Sequence, residues 1–307
     1  MKFIKIILLT LMLSSLYGQD NQLEDDYIYF GRKEPLSLGS SFSGLGTSTL
    51  FVNPANAAYI SDNRISVGGI GSGVGYGYYI SWLAPNLSIS NAEQRTKTDA
   101  DTGDTYRTKL LQFNFGIAST DFGIGNEDLS FALGINVNHK SDYLYDEFDE
   151  RIVGGSANSF DLGILVKVKV IVLEFAVMDL TEPKIKETDL KYNRGFIVGG
   201  RYQNKSGLII SAQGLSGNRY ANSDFGFNLC AEQSFFEQRL ISRLQLTSFY
   251  DGSEAVMQNL CGSVGYRFSS KGRMFHLFKD LEFTYALSFL TIPNNIGTHM
   301  VVMTKYF

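Results

Sequence analysis

Hydrophobic and polar residues alternate one by one along most of the chain after residue 63. In residues 111–118 every second residue is Leu, Phe or Ile, and the residues between them are Gln, Asn, Gly and Ala. Residues 131–138 and 160–169 show the same alternation. Successive side chains leave a β-strand on opposite faces, so this period of two predicts strands with one apolar and one polar face.

Twelve strands follow from the alternation, an even number with polar connections between them. Their predicted bounds are 64–84, 106–119, 129–140, 157–169, 170–178, 195–203, 207–215, 224–232, 239–249, 257–268, 280–290 and 297–307. Residues 85–105, 141–156 and 179–194 are predicted to be long polar loops, whereas 120–128 and 204–206 are shorter. Long loops at one end of a sheet and short turns at the other are typical of outer-membrane barrels.

The apolar face could meet lipid or a second sheet. A soluble β-sandwich shows the same alternation, because its apolar face packs on another sheet. Two features favour a transmembrane antiparallel β-barrel. Tyr76, Tyr78 and Trp82 could form an aromatic girdle at a lipid interface, and Phe307 ends an extended aromatic strand. Phe307 is therefore predicted to be the signal that the barrel-assembly machinery reads.

Residues 1–18 are predicted to be a signal peptide. Lys2 and Lys5 flank the apolar run 6–13, and small residues follow it. A membrane-anchor helix is the alternative, but this run is too short to span ~30 Å of hydrocarbon. We therefore expect export to the outer membrane of a Gram-negative-type bacterium, with its lipids as partners and 63–307 as the barrel.

Five glycines recur at a spacing of two within the first predicted strand. They are Gly69, Gly71, Gly73, Gly75 and Gly77. On one strand they would all face the lumen, opposite the aromatic face, and leave a bare backbone strip on which another segment could lie. Relief of strain at a bend of the barrel is the alternative. Residues 19–62 are small and weakly apolar, so we expect them to form a lumenal plug; a periplasmic arm is the alternative.

The segment Asn53-Pro54-Ala55, placed before the first strand, resembles the N-terminal signature of the FadL-like outer-membrane proteins. Later pieces resemble its PorV/PorQ branch, which is tied to type IX secretion. These pieces are Phe160-Asp161-Leu162-Gly163, Gly265-Tyr266-Arg267-Phe268, Phe283-Thr284-Tyr285-Ala286 and Gly297-Thr298-His299.

The resemblance implies a barrel of 14 strands with an N-terminal hatch. The extra pair of strands would lie within 64–93. For FadL-like transporters it implies binding or passage of hydrophobic small molecules. For the PorV branch it implies a partner of secreted proteins. A structural or porin-like barrel is a further alternative.

Charge and motifs narrow the function. The 307 residues carry 27 Lys and Arg against 31 Asp and Glu, so nothing favours nucleic acid as a partner. No sequence motif of a hydrolase or metalloprotease occurs, so we expect no enzyme activity, cofactor or metal. Eight charges are expected in the lumen, where equal numbers of each sign predict bracing ion pairs. They are Asp161, Lys167, Glu174, Arg201, Glu232, Arg243, Arg267 and Glu282.

Three smaller features complete the predictions. Residues 142–150 mix aromatic residues with five acids, either as a solvated loop or as a loop that binds a cation or a partner. Cys230 and Cys261 are expected to face the lumen two strands apart, roughly 10 Å, which is too far for a disulfide. His139, His276 and His299 are expected to be structural or interfacial.

Overall fold

A closed antiparallel barrel of fourteen strands forms the body of the protein in a computed structural model. The structure describes residues 53–59, 63–72, 75–84, 86–97, 105–119, 129–146, 148–182, 184, 194–203, 208–216, 225–236, 240–251, 253–268, 280–292 and 296–307. The predicted signal peptide and most of the predicted plug lie outside these residues. The predicted all-β barrel is confirmed.

The strands follow one another around the wall in chain order, and β1 closes the barrel by pairing with β14. Their bounds are β1 Arg64–Ser72, β2 Gly75–Ala84, β3 Leu87–Lys97, β4 Thr105–Ser119, β5 Leu129–Tyr145, β6 Arg151–Val168, β7 Ile171–Met178, β8 Gly195–Gln203, β9 Leu208–Ser216, β10 Phe225–Phe235, β11 Leu240–Asp251, β12 Glu254–Arg267, β13 Leu281–Ile292 and β14 Ile296–Tyr306. Closure excludes a two-sheet sandwich.

The strand count from alternation was wrong in one region. The predicted strand 64–84 is a hairpin in which Ser72 pairs with Gly75 across residues 73–74. The predicted loop 85–105 contains β3. These two changes raise the count from twelve to the fourteen that the family resemblance implied. The predicted loop 141–156 is also mostly strand, because β5 and β6 extend to Tyr145 and from Arg151.

The two ends of the barrel can be told apart by the chain termini. Arg64 at the start of β1 pairs with Tyr306 at the end of β14, and we call this the terminal end. The opposite end, where the turn between β5 and β6 lies, is the hairpin end. The alternation of long loops and short turns holds only in part, since 268–280 forms a long connection at the terminal end.

The outer surface of the barrel is apolar, and the inner surface is mixed, with many polar residues. Along β7 exposed and buried residues alternate, with Leu173 and Phe175 exposed and Val172 and Glu174 buried. Large apolar side chains are exposed around the wall. They include Ile65, Val67, Ile80, Trp82, Phe113, Phe115, Ile117, Leu133, Phe160, Leu162, Ile164, Val198, Ile210, Leu229, Leu244, Leu260, Val264, Phe283 and Val301.

Such a continuous apolar belt on a closed barrel is what a lipid bilayer requires. Closure pairs the backbone groups of every strand, and the belt replaces the polar surface of a water-soluble protein. The fold is therefore that of a transmembrane β-barrel. Among the described residues, no helix has the length and apolar character needed to cross a membrane.

Candidate functional site: a hatch segment on a row of glycines

Three inward glycines on neighbouring strands lie side by side on the inner wall. Gly116 on β4 pairs with Gly134 on β5, and Gly134 pairs with Gly163 on β6. Their neighbours on the same face, such as Asn114 and Asn136, are buried inside the barrel. The three positions form a strip of bare backbone, which we call the glycine row.

Residues 53–59, which we call the hatch, lie directly on this row. The hatch consists of Asn53 and the 3-10 helix Pro54–Tyr59. A Cβ atom on Gly116 would lie 2.7 Å from the backbone nitrogen of Ala58, and one on Gly134 would overlap the backbone of Pro54. Glycine is required at these positions because the hatch backbone occupies the space that a side chain would fill.

Asn53 fixes the hatch at both the local and the long-range level. Its Oδ1 accepts a hydrogen bond from the backbone nitrogen of Ala55 at 3.0 Å, and so caps the start of the helical turn. Its Nδ2 donates to Glu174 Oε2 on β7 at 3.2 Å. The side chain is fully buried, and a Cβ on Gly163 would overlap its Oδ1. One amide thus holds the turn together and fastens it to the wall.

Pro54 and Ala55 form the part of the hatch that packs on the wall next to Asn53. Proline has its φ angle already fixed for the first position of the turn and lacks an N–H that would need a partner. Ala55 is fully buried in a small apolar cluster with Ala132, Leu165 and Val172. A larger side chain at residue 55 would push the turn away from the wall.

Beyond the hatch, the inner surface continues as a chain of hydrogen-bonded polar groups. Glu174 accepts a hydrogen bond from Gln213. Gln213 Oε1 in turn accepts one from Asn228 at 2.7 Å, and Asn228 accepts one from the Thr247 hydroxyl at 3.2 Å. This chain links β7 to β11 and starts at the carboxylate that holds Asn53.

A second polar group lies on β5 and β6, next to the glycine row and nearer the hairpin end. Asp161 accepts hydrogen bonds from Asn138 at 2.7 Å and Asn136 at 3.2 Å, and from the backbone nitrogen of Asp179. The Asp179 carboxylate forms a buried ion pair with Lys140 Nζ at 2.6 Å. Asp161 is therefore held by amides and not by a cation.

The other predicted lumenal charges are placed as follows. Glu232 and Arg243 are buried and form an ion pair 2.5 Å long. Glu282 accepts a hydrogen bond from Tyr306 at 2.8 Å. Arg267 lies over the Tyr306 ring at 3.8 Å and 3.6 Å from Asp280.

Arg201 and Lys167 also belong to the inward set. Arg201 is half-buried between Val172 and Ser211. Lys167 is exposed at the terminal end, next to the turn into β7. Paired charges thus describe only part of the inner surface. Sequence reasoning missed the uncharged amides and Lys140–Asp179, because their pairing depends on strand register.

The predicted glycine stripe is wrong as a single lumenal face. Because 69–77 turns back on itself, Gly69 lies outward beside Tyr78, and Gly71 pairs with Tyr76. Gly75 and Gly77 lie on the opposite face of β2, and Gly73 is outside the described residues. A Cβ on Gly69 would meet nothing within 4 Å. The strip of bare backbone exists on β4–β6 instead.

The predictions for the cysteines are confirmed. Cys230 and Cys261 are buried and free. Gln245 on β11 pairs with both of them, so one whole strand separates the two thiols. The strand order around β11 is therefore the predicted one.

The remaining predicted features have ordinary structural contacts. His139 lies 2.8 Å from Asn158, and His299 lies 2.6 Å from the Tyr285 hydroxyl, both on the outer surface. His276 lies outside the described residues. Phe307 is exposed, and its backbone nitrogen donates to Asn63. Its role in assembly stays a prediction.

The predicted acidic loop is largely a strand end and a tight turn. In that turn Asp146 Oδ1 accepts hydrogen bonds from the backbone nitrogens of Phe148 at 3.0 Å and Glu150 at 2.8 Å. Within the described part of the chain, no group of three or more His, Cys, Asp or Glu residues could hold a metal ion.

No protein-family model matches the chain. No curated protein matches it either. Solved structures do share its fold. The toluene transporter TbuX of Ralstonia pickettii is 10% identical, with a TM-score of 0.54 over 86% of this chain and 94% of that one. A Pseudomonas aeruginosa FadL homologue is 11% identical, with a TM-score of 0.54 over 88% and 95%.

The toluene transporter TodX of P. putida gives a similar result. It is 9% identical, with a TM-score of 0.56 over 85% of this chain and 94% of that one. At these identities the likeness shows the fold alone, a closed β-barrel shared with these outer-membrane transporters. The PorV/PorQ branch stays a prediction.

Proposed function

We propose that this protein is an outer-membrane barrel that binds or passes small hydrophobic molecules past its hatch. The observation that carries the proposal is the hatch itself, seated inside the barrel on the glycine row of β4–β6. The similar barrels include two toluene transporters, which adds support from fold to a transport role. The apolar outer belt supports the outer membrane as the location.

A route for an apolar molecule through the barrel must avoid the polar part of the inner surface. Among the described inward positions, Gln213, Asn228 and Thr247 form a continuous polar chain from the hatch across the wall. Apolar solutes gain little from such a surface, because they cannot replace its hydrogen bonds. An apolar patch at Ala55, Ala132 and Leu165 lies buried under the hatch, so displacing the hatch would expose it.

Reconstituted transport is the direct test. Proteoliposomes containing the full chain should take up radiolabelled toluene or a medium-chain fatty acid faster than protein-free vesicles, with saturation. A sugar of similar mass should show no such increase. Equal uptake in vesicles with and without the barrel, together with no measurable binding of either apolar compound in detergent, would overturn the proposal.

A second candidate is a non-enzymatic component of a protein-secretion apparatus, as the resemblance to the PorV/PorQ branch implies. The observation in its favour is the polar, ion-paired inner wall, exemplified by Glu232–Arg243 and Lys140–Asp179. Such a wall suits a braced scaffold better than an apolar passage. A deletion strain should then release less secreted protein while its uptake of apolar compounds stays normal. Unchanged secretion would exclude this role.

A further inference from the structure

A group of basic side chains lies on the outer surface of the barrel, just beyond the apolar belt at the hairpin end. Leu111 on β4 is exposed and marks the edge of the belt. Lys109 lies on the same face, two residues nearer the hairpin end. Arg107 lies two residues beyond Lys109. Arg107 pairs with Arg95 of β3, and Lys109 pairs with Glu93.

These cations share a single buried carboxylate. Glu93 lies 3.0 Å from Arg95, 3.5 Å from Arg107 and 3.2 Å from Lys109. Two arginines directly opposite each other on neighbouring strands repel unless an anion lies between them. Glu93 supplies one negative charge for three positive ones. Arg151 on β6 adds a fourth cation close by. We call Arg95, Arg107, Lys109 and Arg151 the basic band.

Aromatic rings surround the basic band. Tyr76 and Tyr78 of β2 are exposed on the same face, and the Tyr78 hydroxyl donates to Glu93 at 3.3 Å. The guanidinium of Arg107 lies over the Tyr145 ring at 4.4 Å, and that of Arg151 lies over Tyr143 at 4.8 Å. Tyrosine prefers the membrane–water interface, because its ring is amphipathic. The band thus lies at the depth of lipid headgroups.

The geometry of the strands gives the same depth. A strand rises ~3.4 Å per residue and is tilted by about 40° in such barrels. Lys109 then lies roughly 5 Å, and Arg107 roughly 10 Å, beyond the edge of the belt at Leu111. The headgroup layer on each side of the hydrocarbon core is about 5–7 Å thick. Lys109 therefore lies within the headgroup layer. Arg107 lies just beyond it, and its long side chain can reach back towards the lipid phosphates.

Acidic groups near the band lie farther from the bilayer. Asp149, in the turn between β5 and β6, is exposed and lies 3.3 Å from Arg107. Asp146 uses its carboxylate to close that turn. Glu150 is exposed in the same turn. These acids continue the β5–β6 hairpin outward, and Lys109 is the cation of the band nearest the edge of the belt.

Not every described part of the hairpin end carries outward cations. At the hairpin end of β10 and β11 the corresponding outward positions are Phe225, which is exposed, and Tyr250, which stacks on Phe227 at 6.0 Å. The basic band thus differs from this stretch of the hairpin end, and its positive charge suits an anion.

We propose that the hairpin end lies in the outer leaflet of the outer membrane and that the basic band binds the phosphate groups of the phosphorylated glycolipid of that leaflet. The charge is complementary, and cations spread over two strand pairs can meet more than one phosphate of the same molecule. Arginine also suits phosphate because its planar fork donates two parallel hydrogen bonds. The site is separate from the lumen, so it does not depend on the proposed transport function.

Native mass spectrometry of the purified full-length barrel can test this. The probes are bis-phosphorylated lipid A, its dephosphorylated form and phosphatidylglycerol. Arg95→Gln/Lys109→Gln should weaken binding of the phosphorylated glycolipid by about tenfold or more, since each basic group near a lipid surface contributes severalfold. Lys169→Gln/Lys305→Gln, at the terminal end, is the matched control and should bind as the wild type does.

Glu93→Gln provides a test of opposite sign. Removing the shared carboxylate leaves the cations more available, so this variant should bind the phosphorylated glycolipid severalfold more tightly. Lys109→Gln alone, which changes a half-exposed side chain, covers the case in which the double variant does not fold.

Three results would overturn the proposal. The double variant could bind as tightly as wild type, the dephosphorylated glycolipid could bind as well as the phosphorylated one, or phosphatidylglycerol could bind equally tightly. The last result would assign the band to ordinary phospholipid.

Discussion

The inner wall formed by β4–β6 and the inner wall formed by β10–β13 differ in the size and charge of their side chains. On β4–β6 the side chains shrink to glycine, because the hatch backbone lies against the strands. On β10–β13 the inner face carries large charged side chains among smaller ones, with Glu232 paired to Arg243 and Glu282 bonded to Tyr306 of β14. The comparison shows two rules for an inner wall. Glycine occurs where another segment packs against the strands, and paired charges occur where the wall is stabilised by its own side chains.

The largest expected effect comes from breaking the braced wall. Arg243→Met would leave Glu232 buried without its cation, and such losses typically cost about 3–5 kcal/mol. Reversible urea unfolding in lipid should show this loss. The paired variant Arg243→Met/Glu232→Leu should regain most of the stability, because it removes both charges. Equal stability of wild type and Arg243→Met would mean that the pair does not brace the wall.

Adding one methyl group to the glycine row should displace the hatch. In Gly134→Ala the new Cβ would overlap the backbone of Pro54, so we expect a loss of about 1–3 kcal/mol in hatch docking. The readout is maleimide labelling of Ala58→Cys in a background without Cys230 and Cys261. Labelling should be slow in the parent and faster by at least tenfold with Gly134→Ala.

Gly69→Ala is the matched control for that substitution. A Cβ at this outward position meets nothing within 4 Å, so labelling of Ala58→Cys should not change. If Gly134→Ala and Gly69→Ala label alike, the glycine row has no special role for the hatch.

Removing the amide of the hatch should have a smaller effect of the same kind. Asn53→Ala loses the cap on Ala55 and the bond to Glu174, at a cost of about 1–2 kcal/mol. Asn53→Asp should be worse than Asn53→Ala, because a second carboxylate would face Glu174. The same labelling assay measures which of the two variants exposes Ala58→Cys faster. Identical rates for Asn53→Ala and Asn53→Asp would contradict the contact between Asn53 and Glu174.

The cysteines should give the smallest effect. Folded barrel should resist alkylation at Cys230 and Cys261, and denatured, unreduced protein should take up label at both. Mass spectrometry of the labelled peptides measures this. A 230–261 disulfide would contradict the placement of β11 between the two strands.

The strands could be predicted from sequence because alternation is local, but the hatch wall could not. Gly116, Gly134 and Gly163 each occupy an ordinary inward position, and they become a row only when β4, β5 and β6 align. The prediction that the glycines at 69–77 share one lumenal face failed for a related reason. Because Ser72 pairs with Gly75, odd-numbered positions face outward on β1 and even-numbered positions on β2, and alternation alone does not show that reversal.

Asn53, Pro54 and Ala55 were identified from sequence, whereas their partners were not. The motif is local, but Glu174, Ala132 and Leu165 meet it through long-range register. An inward glycine on each of several successive strands is the signal that could have located the wall.

A cross-link between the hatch and β5 tests the central claim most directly. Ala55 and Ala132 belong to one buried cluster, so Ala55→Cys/Ala132→Cys, in a background without Cys230 and Cys261, should react with a short bismaleimide of ~8 Å in intact membranes. Ala286 faces inward on β13, roughly 20 Å away across a barrel of this strand number, so Ala55→Cys/Ala286→Cys should not react. A hatch seated on the glycine row predicts a cross-link in the first pair alone. Equal cross-linking of both pairs, or none in the first, would contradict it.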